Sequence, residues 1–403
     1  MNQKSARERI SGIISGKRQD LFSRKNECAS RSIYINLGAQ CNQNCNFCLI
    51  KGSEKNFPFM FLNEAKRIIK GFASSGGKSI MFTGGEPTLR DDLPEMIRHA
   101  EEWGKLESIS IVTNAVRLSD ENYFQRLIEV DKQKQLSFGV SFHSHREKVS
   151  EEITQSTGTF RKTLKGIARI LKSGRPISFY QVITAENYRH LLAFCQFIHK
   201  RFPKARSITF AYPFPQGNAV INKRIYVPFD ILGPYFIKAL NFLEEKEYEI
   251  NIAACGQFPL CVIPGFEEKV LGPLLMAEEN IIGVIGEKVF HEFEWGSEEF
   301  INLYKNKSPE CARCILNGHC QGFWREYIDQ FGFRGLTPVT FSGFKGNKFI
   351  AKLKIPADLK FLSQKLKLDK LNVIKLSHWS KEAYRQLLVK MKKEKILAVV
   401  IKN

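Results

Sequence analysis

The chain has 403 residues, of which 43% are apolar and 25% are charged, a balance typical of a globular protein with a sizeable core. No run of about 18 apolar residues occurs, so no transmembrane helix is expected, and the first twenty residues lack the apolar segment of a secretory signal, which favours the cytosol. The net charge of +20 fits a nucleic acid, a phosphorylated substrate or an acidic peptide as partner, and equally a solvated Lys-rich surface.

Short β-rich runs alternate with helical runs after a basic leader at residues 1–30. The predicted strands are Ser32–Leu37, Ser79–Thr83, Ser108–Thr113, Leu136–Phe142, Ile177–Ile183 and Ser207–Tyr212. The predicted helices are Phe59–Ala73, Leu93–Trp103, Glu121–Val130, Thr159–Leu171 and Tyr188–Lys200, followed by Ile231–Glu245. This alternation predicts parallel strands joined by right-handed crossovers.

Six strand–helix units are too few for a closed eight-fold barrel, so the fold class is α/β with a partial, open (β/α)6 TIM-like barrel over residues 31–230. A cysteine-rich domain at 231–335 and a small basic α/β extension at 336–403 follow, the latter with a helix at Ser380–Lys393 and a strand at Ile396–Ile401. In such barrels the loops after the strands carry the chemistry.

The first of those loops holds Cys41, Cys45 and Cys48 at the spacing C-x3-C-x2-C. Clustered thiols in a long chain without an export signal more often bind metal than form disulfides. Three thiolates on one tight loop suit a four-iron four-sulfur cluster with one iron left open for a ligand. The alternatives are unrelated thiols or a zinc site that His143 or His145 completes as fourth ligand.

The segment resembles the hallmark of the radical S-adenosylmethionine (SAM) superfamily, C-x3-C-x-aromatic-C, with Phe47 in the aromatic position. Thr83-Gly84-Gly85-Glu86-Pro87 resembles the family's GGEP motif at the end of the second strand. The resemblance implies that SAM chelates the open iron, that Phe47 lies near its adenine, and that the GGEP residues bind its amino group. Glycines there let the backbone approach a ligand closely, and Glu86 can accept from an ammonium.

Polar residues at later strand ends are further candidates for SAM contacts, although such residues often act as caps. The resemblance assigns the ribose to Ser141 and the neighbourhood of the adenine to Gln216, and the remaining candidates are Asn114 and Asn187. His143 and His145 are either acid–base groups near the substrate or satisfied histidines at a strand end.

The second cysteine cluster has the spacing C-x2-C-x5-C at Cys311, Cys314 and Cys320. Cys261 is the expected fourth ligand, Cys255 is the spare candidate, and His319 adds a further possibility. The region resembles the SPASM or "twitch" extension of radical SAM enzymes, which implies one auxiliary four-iron four-sulfur cluster. Zinc is the competing occupant, because a closed four-cysteine site suits it equally well.

The resemblance implies a radical SAM enzyme that takes an electron from a donor such as flavodoxin or ferredoxin. The cluster cleaves SAM reductively, and a 5′-deoxyadenosyl radical then abstracts hydrogen from a substrate. A ribosomal peptide or protein side chain is the expected substrate, and the basic extension would suit an acidic peptide or a phosphate. The alternatives are RNA, a small metabolite, or a non-catalytic iron–sulfur or zinc protein.

Overall fold

The computed structural model describes most of residues 32–338 and two short segments near the end. The described residues are 32–103, 106–205, 207–253, 257–264, 266, 269, 281–285, 288–291, 302–314, 317, 320–338, 371–375 and 397–401. The basic leader at 1–30 and the predicted helix at 380–393 lie outside these residues, as do Cys255 and His319.

One twisted sheet organises the described part of the chain. Its strands are β1 (Ser32–Asn36), β2 (Ser79–Thr83), β3 (Ser108–Thr113), β4 (Leu136–Ser141), β5 (Ile177–Val182), β6 (Ser207–Ala211), β7 (Glu249–Ile252), β8 (Ile281–Ile285) and β9 (Lys288–His291). Their order is β7-β6-β5-β4-β3-β2-β1-β8-β9, and every neighbouring pair is parallel except the antiparallel β8–β9 hairpin.

Helices follow most of the parallel strands and cover the sheet. They are α1 (Leu62–Ser74), α2 (Leu93–Glu102), α3 (Glu121–Val130), α4 (Glu147–Thr154), α5 (Thr159–Lys172), α6 (Leu191–Arg201), α7 (Asn218–Ile221), α8 (Phe229–Glu245) and α9 (Arg325–Phe331). The pattern in α1 shows why they form. Ala65, Ile68, Ile69 and Phe72 recur at helical spacing and are all buried, so a single apolar face packs on the sheet.

The partial barrel predicted from the sequence is confirmed, since the six predicted strands are β1 to β6 in order and the sheet remains open. Within the described residues, the edge strands β7 and β9 do not pair with each other. The sheet is wider than predicted, because β7 and β8 add one parallel strand at each side. The sequence Glu249–Ile252 alternates polar and apolar residues, which is the pattern of a half-buried strand.

Beyond this sheet, two small pairs complete the described structure. β10 (Lys305–Asn306) pairs antiparallel with β11 (Phe323–Trp324), and β12 (Leu371–Lys375) pairs parallel with β13 (Leu397–Ile401). β13 coincides with the strand expected at 396–401. The four domain boundaries stay predictions, although β7 and β8 show that the segment assigned to the cysteine-rich domain also contributes to the main sheet.

Candidate functional site: a cysteine loop at the carboxyl edge of the sheet

The loop with the first three cysteines leaves the carboxyl end of β1 and is closed by its own backbone. Cys48 N–H donates to Cys45 O at 3.0 Å, which folds residues 45–48 into a turn. Gln43 N–H points at Cys41 Sγ at 3.4 Å and Lys51 N–H at Cys48 Sγ at 3.5 Å. Backbone donors therefore face two of the three sulfurs, an arrangement that stabilises thiolates.

Two neighbouring segments hold this loop from outside. The carbonyls of Ile153 and Thr154, at the end of α4, accept from Asn46 N at 2.9 Å and Asn44 N at 3.0 Å. After β6, Asn218 donates its backbone N–H to Cys48 O at 2.9 Å and its side-chain amide to Cys45 O at 2.8 Å. Asn218 thereby fixes the two cysteines that enclose Phe47.

The GGEP segment joins the end of β2 to the same loop through its backbone. Gly85 N–H donates to Gly38 O at 2.6 Å, and Glu86 N–H donates to Gln40 O at 2.7 Å. A Cβ on Gly85 would lie 2.1 Å from Gln40 O, so only glycine permits this approach. The two glycines therefore place the cysteine loop.

The sequence suggested that Glu86 accepts from a ligand ammonium, and in the structure its carboxyl group accepts from protein donors. The carboxyl group is buried and accepts from Thr88 N, Thr88 Oγ1 and Thr113 Oγ1 on one oxygen and from Asn114 N at 2.6 Å on the other. These bonds tie the ends of β2 and β3 together. Burial raises the pKa of Glu86, and the four donors counteract that rise. Contact with a ligand ammonium remains a prediction for this residue, and Pro87 opens the buried turn that follows it.

The side chain of Asn114 connects β3 to the cysteine loop. Its Nδ2 donates to Asn42 Oδ1 at 2.7 Å and lies 4.0 Å from Cys41 Sγ. Its Oδ1 accepts from Val116 N, which leaves the amide fixed on both sides. Asn114 therefore belongs to the site as a residue that orients Cys41.

The three thiols influence one another's ionisation. Burial raises the pKa of Cys41 to about 11, and the charges of Glu86 and Cys48 add to the rise. The pKa of Cys45 lies well above its ordinary value for the same first reason, and Cys48 and Cys41 raise it further. Neighbouring thiolates repel one another, so they need positively charged partners. The irons of an iron–sulfur cluster are such partners, and each of them takes one thiolate. The donor set therefore fits the cluster.

Phe47 packs edge-on against His143, with the ring centroids 4.8 Å apart. His143 is buried, its Nδ1 accepts from Val182 N at 3.2 Å, and this bond assigns the ring proton to Nε2. Burial lowers the pKa of His143 to about 4, so the ring is neutral at neutral pH. A fixed neutral imidazole thus backs the aromatic residue of the cysteine motif.

We expect His143 to make the protein less stable in mild acid. Its pKa in the folded chain is about 4, below the ordinary 6.5, so the unfolded chain takes up the proton first. The contribution of neutral His143 to the free energy of unfolding is complete above pH 6.5. It is lost as the pH falls toward 4, by about 1.4 kcal/mol per pH unit. Anaerobic urea unfolding at pH 7 and pH 5 measures it. In His143→Asn, which keeps an acceptor for Val182, the difference between the two pH values should shrink, and an unchanged difference contradicts the assignment.

The other predicted SAM contacts fall at the expected strand ends, with different surroundings. Ser141 ends β4 and is half-buried. Asn187 is buried, and its amide bonds His143 O at 2.9 Å, Val182 O at 2.8 Å and Thr184 N at 2.8 Å, so it holds the turn after β5. Gln216 is also buried, and its N–H donates to Phe214 O. Their contacts with SAM stay predictions.

One pair in the site was missed in the sequence. Asn46, inside the cysteine motif, donates to Glu186 Oε1 at 2.9 Å across 140 positions of the chain. Asn46 Oδ1 and Glu186 Oε2 are both buried and have no hydrogen-bond partner in the described structure. The one sequence signal for this pair is the position of Glu186 in the loop that follows β5, like the other candidates. Two free acceptors beside the cysteine loop suit a ligand with donor groups.

Four cysteines converge at a second place, although they come from segments 50 residues apart. Cys261 lies on a short turn, Leu260–Val262, and its pKa is raised to about 12 by burial first and then by the charges of Cys320, Cys314 and Cys311. Cys314 N–H donates to Cys311 O at 3.0 Å, and Gly322 N–H points at Cys320 Sγ at 3.4 Å. Cys261 thus lies near enough to the trio for their charges to act on it, and the donor set fits a four-thiolate cluster, in which Cys261 stays the predicted fourth ligand.

In the segments that the structure describes, no group of three or more His, Cys, Asp or Glu side chains is arranged to hold a single metal ion. A cluster makes a different demand, because its thiolates are spread over separate irons.

We expect Cys261→Ala to remove the auxiliary cluster. The loss of one of four thiolates should lower the iron content by up to about four per chain while the first cluster remains. Iron analysis and absorption spectra after anaerobic reconstitution measure this. Cys195→Ala is the matched control, because Cys195 is buried in α6 among core residues and its loss should leave the iron unchanged. Full iron in Cys261→Ala would contradict the assignment.

The fold and the cysteine loop together define a parallel α/β protein with a cluster site at the carboxyl edge of its sheet. Residues 35–198 match the family model of the radical SAM superfamily. This part of the chain is therefore a radical SAM domain. No described helix has the length and apolar character needed to cross a membrane.

Relatives in sequence are named GTP 3′,8-cyclases. The chain is 31% identical over 173 residues to the probable GTP 3′,8-cyclase of Sulfurisphaera tokodaii, covering 43% of this chain and 52% of the relative. It is 29% identical over 152 residues to the GTP 3′,8-cyclase of Clostridium perfringens, covering 37% of this chain and 45% of the relative. The chain thus spans about half the length of these relatives.

Solved structures share the fold over a larger part of the chain. Streptococcus suis SuiB bound to S-adenosylmethionine superposes with a TM-score of 0.53 at 17% identity and covers 74% of each chain. AnSMEcpe with bound AdoMet superposes with a TM-score of 0.53 at 16% identity, covering 77% of this chain and 92% of its own. Both likenesses extend well beyond residues 35–198.

Proposed function

We propose that this protein cleaves SAM reductively and passes the resulting radical to a small, phosphate-bearing substrate of the nucleotide class. The observation that carries the first half is the convergence of three strand ends on one cysteine loop. Gly85 and Glu86 after β2, Asn114 after β3 and Asn218 after β6 all bond to residues 38–48.

Cys41, Cys45 and Cys48 would hold the cluster, which when bound supplies the electron that splits SAM into methionine and a 5′-deoxyadenosyl radical. The chain's own residues would orient the reacting groups and exclude water from them. Asn218 and Gly85 fix the loop. Phe47, backed by neutral His143, offers an apolar edge near the second and third cysteines. The free acceptors of Asn46 and Glu186 suit the hydroxyl or amino donors of a bound nucleoside.

The substrate class rests on the sequence relatives and on charge. The relatives are named for GTP, and a net charge of +20 favours a polyanionic ligand over a neutral one. The peptide substrate expected from the sequence becomes the second candidate. It is favoured by the fold it shares with SuiB, which has been solved bound to its precursor peptide SuiA. A flavodoxin or ferredoxin stays the proposed electron donor.

The test is an anaerobic reaction of the reconstituted protein with SAM and dithionite, in which 5′-deoxyadenosine is measured with and without GTP. We expect 5′-deoxyadenosine in both reactions and a faster release, with a new nucleotide product, when GTP is present. Formation of 5′-deoxyadenosine without any change in GTP would overturn the substrate class and leave SAM cleavage standing. Bound iron with no SAM cleavage would overturn both and favour a non-catalytic iron–sulfur protein.

A further inference from the structure

A buried lysine lies beside the second cysteine centre. Lys305, on β10, is 5% exposed and sits opposite Trp324 on β11. Its ammonium lies 4.6 Å from the centre of the Trp324 ring, and it donates to the amide oxygens of Gln257, at 3.2 Å, and Gln321. These partners are neutral, so hydrogen bonds satisfy the donors without cancelling the charge.

Buried ammonium groups are normally paired with an anion, because the loss of hydration is costly. Within the described segments, no carboxylate forms an ion pair with Lys305. Burial lowers its pKa to about 8, and the anionic group that acts against this shift is Cys320, a predicted ligand of the auxiliary cluster. Gln321, which bonds the ammonium, directly follows Cys320 in the chain, so the buried ammonium lies beside the cysteine centre.

We propose that Lys305 is the buried counter-charge of an auxiliary cluster on Cys261, Cys311, Cys314 and Cys320, and that it raises the reduction potential of that cluster. Four thiolates give such a cluster a net negative charge, and reduction adds one more. A fixed positive charge in a poorly hydrated region stabilises the reduced form more than the oxidised form. The cluster would then accept an electron, for instance from a substrate radical, more readily. This proposal rests on the auxiliary cluster and is independent of the substrate.

Lys307 provides a matched comparison two positions along the chain. It is exposed, its ammonium donates to Asn317 O at 2.7 Å and Asn317 Oδ1 at 2.9 Å, and its charge lowers the pKa of Cys320. Lys305 and Lys307 thus carry the same charge near the same sulfur. They differ in solvation, and water screens the exposed charge far more strongly.

The experiment uses the full chain with Cys41, Cys45 and Cys48 replaced by alanine, so that the auxiliary cluster is the one observed. Dithionite supplies one electron per cluster, and the midpoint potential is read by electron paramagnetic resonance. Variants that retain about four irons are compared. We expect Lys305→Met to shift the potential to more negative values, and Lys307→Met to shift it clearly less. A shift in Lys305→Met no larger than that in Lys307→Met would overturn the proposal.

A second variant keeps the test decisive where Lys305→Met fails to retain its iron. Gln321→Glu places a carboxylate where the amide already bonds the ammonium, and so neutralises Lys305 without removing it. The potential should again become more negative, and an unchanged potential would count against the proposal. Zinc instead of iron in the anaerobically purified protein would also overturn it, while SAM cleavage on the first cluster would be unaffected.

Discussion

Replacing Cys41, Cys45 and Cys48 together with alanine should abolish the formation of 5′-deoxyadenosine and remove about four irons per chain. The thiols supply every predicted protein ligand of the first cluster, and without them neither the electron nor the open iron that binds SAM is present. The loss should be complete, to the level of a reaction without protein. The auxiliary centre should keep its iron, because its cysteines lie on separate segments.

Iron, sulfide and 5′-deoxyadenosine measured on the same samples separate the two centres. The matched control is Cys261→Ala, which should lose iron from the auxiliary centre and still cleave SAM. Residual 5′-deoxyadenosine in the triple variant would place the SAM-binding cluster elsewhere. Loss of all iron in the triple variant, in a chain that still folds by circular dichroism, would mean that the two centres assemble together.

Gly217→Ala should reduce SAM cleavage about 100-fold, although residue 217 is not a ligand. Gly217 has φ +60° and ψ −132°, a region that is essentially restricted to glycine. An added Cβ would lie 2.4 Å from Cys48 O and 2.6 Å from both Leu49 O and Lys51 O. These are backbone atoms of the cysteine loop and cannot rotate away, so the loop itself must move. Strain and overpacking should each cost about 1–3 kcal/mol.

Gly174→Ala is the control for this variant. Gly174 also has a positive φ, +75°, but an added Cβ would meet no atom within 4 Å. It should therefore lose about 1 kcal/mol of stability and keep its activity. Urea unfolding and 5′-deoxyadenosine formation are measured for both variants. Equal activity in Gly217→Ala and Gly174→Ala would show that contact with the cysteine loop is unimportant.

Local signals were sufficient for the elements that lie close together in sequence. The six strands β1 to β6 alternate with amphipathic helices, and the bounds of α3 agree with the sequence prediction residue for residue. The spacing of Cys41, Cys45 and Cys48 and the glycines of the GGEP segment likewise depend on neighbouring residues alone. Helix and strand periodicity repeats every few residues, so it can be recognised without knowledge of the fold.

Elements that form through distant pairing were harder to predict. β8 is short and joins the sheet beside β1, about 250 positions earlier in the chain, and α4 lies between a predicted strand and a predicted helix in a stretch with no prediction. Neither signal is strong by itself, because burial against a distant partner stabilises them more than their own propensity does.

The open parallel barrel and the first cysteine trio could be predicted from the sequence alone, because they depend on strand and helix periodicity and on short spacings, and the superfamily followed from the resemblance of the cysteine and GGEP motifs. The grouping of distant side chains into one site became visible in the fold. The fold brought Cys261 near Cys311, Cys314 and Cys320, joined Asn46 to Glu186, and enclosed Lys305 among neutral partners. Such contacts depend on the path of the chain between distant segments, and charge, hydrogen bonding and burial act through space and not along the sequence.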